Sequence, residues 1–174
     1  MSNLRLLNET TVSSGVASVS VTDVFSSDFD IYKITFTDME IQTEDYTSMR
    51  LINSSGNIVT NTIYNNASRI MYSHTSFFNA QNTTDNKFYY LNYLYPNSYD
   101  DGNGNTIYIF NPFDTSSYTF IINQGTGYAN GVGNYNFKGI GVLKETSSIT
   151  GINVFRTGNI NNIKIRTYGL RADT

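Results

Sequence analysis

An antiparallel, jelly-roll-like β-sandwich of about nine or ten strands is the fold that this sequence predicts, and three observations carry the expectation. Strong helix formers are scarce, with five Ala, eight Leu and four Glu in 174 residues, too few to propagate helices. Segments that alternate apolar and polar with period two recur from one end to the other. Turn residues separate them at hairpin spacing, which is the spacing of an antiparallel sandwich.

Taken in chain order, residues 2–16 are polar except at Leu4, Leu6, Leu7 and Val12. They read either as an interface arm or as a first edge strand. The stretch "DIYKITFT" sets Tyr32, Ile34 and Phe36 on one face against Lys33 and Thr35 on the other. "SMRLIN" and "NIVTNTIY" flank "SSGN", a hairpin signal. "KFYYLNYLY" is apolar or aromatic on both faces, as in a strand covered from two sides. "TIYIFN" and "YTFIIN" flank "PFDTSS", and "NYNFKGIGVL", "GINVF" and "NIKIRTYGL" complete the set. No linker, low-complexity tail or internal repeat interrupts the series, so 1–174 reads as one domain.

Composition narrows the function. Charged residues are 14% of the chain and net charge is −3, with eleven Lys and Arg. A nucleic-acid surface needs a basic stripe to displace counterions, so that class is disfavoured. Instead there are 23 Asn, 18 Ser and 21 Thr, more than a third of the residues. A surface with so little charge is poorly protected against association and suits a protein that sits against neighbours. The absence of cysteine removes disulfides, thiol nucleophiles and Cys-ligated zinc. The apolar patch near the N-terminus is broken by Arg5 and is too short for a signal peptide, and no run has the length of a membrane span. The expectation is a protein made in a host cytoplasm and not inserted in a membrane. Its extracellular-type composition fits a virus particle released by lysis.

The motifs that suggest chemistry each have a structural competitor. "GTGYANGVGNYNFKGIG", residues 125–141, is the most glycine-dense stretch. A dinucleotide fingerprint fails there because Asn130 stands at the third glycine's place, and no Gly-Lys-Ser/Thr follows. It reads as a turn leading into a strand whose glycines admit a close neighbour. "DDGNGN" alternates oxygen ligands at Asp101, Asn103 and Asn105, but Thr106 and Pro112 stand where a calcium loop needs glycine and glutamate. The turn reading is favoured. The single histidine, His74, lies beside aromatic residues without a triad context. The acid pairs Glu44–Asp45 and Asp100–Asp101 are adjacent, so on a strand their side chains diverge. Nothing here speaks for an enzyme, a cofactor or a metal.

Tyrosines 89, 90, 93, 95 and 99 suit either cross-strand packing or a contact surface. Packing is favoured for Phe88–Leu94, and contact for Tyr95 and Tyr99. With Leu4, Leu6, Leu7, Asn103, Tyr128 and Asn130 they form the expected set of partner contacts. Loops 96–105 and 124–134 are the candidate glycan-binding loops.

The end "ITGINVFRTGNINNIKIRTYGL" resembles the closing hairpin of small β-sandwich virion proteins of tailed phages, notably marine cyanophages. "IFNPFDTSSYTFII" resembles their central strand pair, "FSSDFDIYKITFTDME" their early strand and "LINSSGNIV" their hairpin. The resemblance touches most of the chain and rests on turn and packing motifs. It implies a virion structural protein, multimeric, in a tail fibre or on the capsid surface. No shaft or attachment domain accompanies the sandwich in this sequence. Capsid decoration or cement is therefore the leading expectation, as a homo-oligomer (a trimer favoured) bound to the major capsid protein or other virion proteins. A tail-fibre or tail-tip component binding a host-surface glycan is the alternative.

Overall fold

The computed structural model describes residues 3–73, 77–94, 103–129 and 133–171. These residues form eleven antiparallel strands and no helix. They are β1 (Leu4–Val12), β2 (Val16–Val21), β3 (Ile31–Ile41), β4 (Asp45–Asn53), β5 (Tyr64–Tyr72), β6 (Phe78–Asp85), β7 (Phe88–Leu94), β8 (Gly104–Phe110), β9 (Thr119–Ala129), β10 (Gly133–Leu143) and β11 (Ile149–Leu170). The all-β antiparallel expectation holds, with one or two more strands than the alternation reveals.

The organising element is β11, and it corrects the reading of 151–170 as two strands joined by a turn. The chain does not reverse at Gly158. It runs on as one strand of 22 residues, with Gly158 at φ 82° absorbing a bulge. The first half of β11 pairs with β2 and β4, and the second half with β1 and β3. Arg156 fixes the bend by donating from Nη2 to the carbonyls of Thr43 and Asp45 in the β3–β4 turn.

Two facing layers follow from this bend. The larger has the strand order β1–β11–β3–β8–β9–β10–β5–β6, and the smaller β2–β11–β4–β7, joined through β11 into one hydrogen-bonded network. Strand β7 crosses over β5, β9 and β10, so the layers close on each other as a curled sandwich. Between them lie Tyr32, Ile34, Phe36, Met49, Leu51, Phe88, Leu91, Ile107, Ile109, Ile121, Ile163 and Ile165, all buried. Tyr64 and Phe88 pack edge to face across the layers at 4.9 Å. A second cluster fills one end with Ile70, Tyr135 and Phe137 under Tyr46, Tyr72, Tyr90 and Tyr93.

Glycines in β10 are explained by this packing. A Cβ on Gly141 would lie 2.6 Å from the Phe88 ring, and one on Gly139 2.6 Å from Ser68 Oγ. Gly125 and Gly127 also stand inside a strand, β9, rather than in a turn as the sequence suggested. The residues that connect β9 to β10 lie outside the described residues.

Candidate association surface

The residues expected to carry contacts fall into three groups. Tyr95, Tyr99 and Asn130 lie outside the described residues, as do His74 and Asp100–Asp101. Asn103 is no surface contact: it is 4% exposed, and its Nδ2 donates to Met39 O at 2.7 Å, which ties β8 to the end of β3. Asn105 is buried likewise, with Nδ2 donating to Leu91 O at 3.1 Å. Leu7 sits at a β-bulge and packs against the core. Leu4, Leu6 and Tyr128 are exposed. The segment around Leu4 and Leu6, Leu4–Val12, is an edge strand paired along β11 rather than a free arm, while Tyr128 lies in β9.

The acid pair Glu44–Asp45 is held by two different partners. Glu44 Oε1 accepts from Tyr93 OH, while Asp45 Oδ2 accepts from the Thr157 amide at 2.9 Å. Among the described residues no group of three His, Cys, Asp or Glu side chains is placed to hold a metal.

What the sequence did not reveal is the outer face of the larger layer. Cross-strand partners share a face, so the pairing register can be read as rows running across the strands. The first row is Leu4, Leu170, Ile31, Phe110, Phe120, Val142 and Asn65. The second is Leu6, Tyr168, Lys33, Tyr108, Ile122, Ile140, Ala67 and Gln81. Together they make an apolar belt with one cation in it. The third row turns polar: Glu9, Arg166, Thr35, Thr106, Gln124, Lys138, Arg69 and Asn79.

The belt faces solvent. Ile140 is 63% exposed and Leu6 51%, with Leu4, Phe120 and Ile122 also exposed. A groove of about 600 Å³ runs through it between β8, β9, β10, β5 and β6, walled by Phe110, Phe120, Ile122 and Ile140 and reaching Ala67 and Gln81. Beside it a polar groove of about 470 Å³ is lined by Lys33, Thr35, Thr106, Gln124, Thr126 and Asn136 around Tyr108. At seven to eight strands of about 4.8 Å and two rows about 7 Å apart, the belt covers on the order of 450 Å². Contiguous apolar patches of that size on a monomer commonly mark an interaction site.

The exposed Phe and Ile are on this face because the interior accepts their polar neighbours. Along β9 the inward residues are Thr119, Ile121, Asn123 and Gly125, all buried, and the outward ones are Phe120 and Ile122. Asn123 is accommodated because its Nδ2 donates to Leu91 O at 2.9 Å on the facing β7. Only the Nδ2 side of this amide is paired: its Oδ1 is buried without a hydrogen-bond partner, at a cost of about 1–3 kcal/mol.

No protein-family model matches this chain, and no curated protein is similar to it. Among solved structures it is similar to a fructofuranosidase from Schwanniomyces occidentalis complexed with fructosylnystose. That likeness has 11% identity over 95% of this chain and 34% of the other, with a TM-score of 0.24. The chain thus spans about a third of the length of that enzyme, and a likeness this low carries no argument about fold or activity.

Proposed function

We propose that this chain is a non-enzymatic structural component of a phage particle surface, working by association, with capsid decoration as its role. The observation that supports association is the solvent-exposed apolar belt across the larger layer, Leu4 and Leu6 included. An isolated soluble protein gains nothing from holding Phe120, Ile122 and Ile140 in water, since each costs about 1.5–3 kcal/mol relative to burial. Two rows of side chains, roughly 13 Å, are about half the apolar band of a lipid-embedded barrel. A protein neighbour is therefore the better fit. The particle surface as the place of that association is inferred from the sequence resemblance alone.

The alternative role, a tail component that binds a host glycan, draws on the polar groove. Thr, Gln and Asn side chains around the Tyr108 ring offer hydrogen bonds and a stacking face.

Co-sedimentation with particles that lack the chain tests the association. Wild type and the Ser55→Lys turn variant should bind, and Ile122→Lys/Ile140→Lys should not. Equal binding by all three would refute the belt as the contact. A glycan array that retains the protein in place of the particles would favour the tail reading.

A further inference from the structure

The partner of the belt has to match a particular arrangement of charge and bulk. Six strands carry the grooved part of the face, in the order β3–β8–β9–β10–β5–β6. A two-fold axis parallel to the strands, lying over the boundary between β9 and β10, would set β9 of one copy on β10 of another. The same axis sets β8 on β5 and β3 on β6.

Row by row, the face is complementary to itself under that operation. In the first row Phe120 meets Val142 of the second copy. In the second row Ile122 meets Ile140, Tyr108 meets the low ground over Ala67, and Lys33 meets Gln81. In the third row Lys138 meets Gln124, Arg69 meets Thr106, and Thr35 meets Asn79. Each of the three cations on these strands therefore opposes a neutral polar side chain, while Ile122 and Ile140 meet as equals and Phe110 meets Asn65 in the first row. Shifting the axis by one strand toward β5 would set Lys138 against Arg69, a like-charge contact. The register is thus selected by charge as well as by apolar matching.

The area is sufficient. Six strands at about 4.8 Å and three rows at about 7 Å make a face of roughly 29 by 21 Å. That is about 600 Å² on each copy and about 1,200 Å² for the pair, at the lower end of the range of stable interfaces.

We infer that this face pairs with a second copy of the chain in an isologous dimer about that axis. The inference deepens the association reading and rests on it: the six-strand face joins two copies, and loss of particle binding in Ile122→Lys/Ile140→Lys then reports the loss of the dimer that binds. The strip of Leu4, Leu6, Tyr168 and Leu170 on β1 and β11 lies outside the six paired strands.

Sedimentation velocity on the whole chain tests it. Wild type should sediment as a dimer, and Ile140→Lys as a monomer with an unchanged melting temperature. Gln81 then reads the register. It lies five strand spacings, roughly 24 Å, from Lys33 of its own copy, well beyond the screening length of about 8 Å at physiological salt. Gln81→Glu should therefore tighten the dimer about two- to five-fold through Lys33 of the other copy, and Gln81→Lys should weaken it by a similar factor. A monomeric wild type would overturn the dimer, as would a dimer that survives Ile140→Lys. So would Gln81 variants that leave the dissociation constant unchanged or shift it with the opposite sign. If wild type is monomeric yet Ile122→Lys/Ile140→Lys still abolishes particle binding, the belt is a contact for a different protein and only the dimer fails.

Discussion

Replacing Tyr64 by Phe removes one oxygen from the centre of the fold, and the structure says what that oxygen does. The Tyr64 ring is fully buried against Phe88. Its hydroxyl accepts from the Leu51 amide at 3.1 Å and donates to the Val59 carbonyl at 2.9 Å. One group thus pins the irregular segment after β4 back onto the β4 strand. In Tyr64→Phe both backbone groups lose this partner, at a cost of about 2–4 kcal/mol. For a chain of this length that lowers the melting temperature by roughly 5–15 °C. The same hydroxyl makes stability pH-dependent. Burial pushes its pKa up from 10.0 to about 12, opposed in part by the bond from Leu51. The sign follows from the raised folded-state value: below pH 10 both states are protonated and the contribution is complete. Between pH 10 and 12 the unfolded chain releases its proton first, and stability falls as pH rises. Two pH units correspond to about 2.7 kcal/mol. Urea denaturation of wild type and Tyr64→Phe at a series of pH values from 8 upward measures both effects. The two stabilities should differ most near neutrality and converge as pH passes 10. Parallel curves through that window would refute the assignment of this hydroxyl as a buried, proton-holding clamp.

Three further substitutions test the packing. Gly141→Ala drives a methyl into the Phe88 ring and should cost about 1–3 kcal/mol in denaturant unfolding; a neutral result would mean that the layers are farther apart than described. Gly158→Ala places a side chain at φ 82° with Thr43 Oγ1 3.0 Å away. A loss of at least about 1 kcal/mol is expected, whereas a gain would contradict the bulge. Arg156 is 7% exposed, and desolvation lowers its pKa while Asp45 opposes that. Arg156→Ala strips the Thr43 and Asp45 carbonyls of their donor, and chemical denaturation should show a loss of about 2–4 kcal/mol. Unchanged stability would show that the β11 bend holds itself.

Much of the fold was legible because half-buried strands write their burial as alternation. Tyr32, Ile34 and Phe36 are buried where the period-two pattern put them, and the segments around "PFDTSS" pair as expected, Phe110 opposite Phe120. The pattern fails where something other than alternation sets the face. Strand β6, with the sequence FNAQNTTD, is an exposed edge strand and carries no apolar period to read. In β7 the apolar character of both faces pointed to a strand covered on two sides, and no residue of β7 is exposed although the strand ends the hydrogen-bonded path. Tyr90 at φ 58° breaks the alternation there. Phe88, Leu91 and Leu94 join the main core, while Tyr89, Tyr90 and Tyr93 pack around Tyr46. Gly158–Asn159 has the composition of a hairpin turn, and only the partners along both edges of β11 make it a bulge in a continuing strand.

The belt was illegible for a different reason. In "YTFIIN" the apolar residues look like core, but the inward positions go to Thr119, Ile121 and Asn123 because β7 supplies a carbonyl for the Asn123 amide. Burial of that asparagine is decided by a residue 32 positions away, which no local pattern records. Leu4 and Leu6 stand out in the sequence as expected contacts because they are isolated in a polar segment. Their membership of a row with Phe110, Phe120 and Ile140 needed the register.

The most direct test of the central claim is to count this chain, by quantitative mass spectrometry, against the major shell protein in density-purified particles from a lysate in which it is made. Association with the particle surface predicts a copy number equal to the shell protein's or a simple symmetry fraction of it, lost in the Ile122→Lys/Ile140→Lys variant. Particles that contain none of it would contradict the proposal.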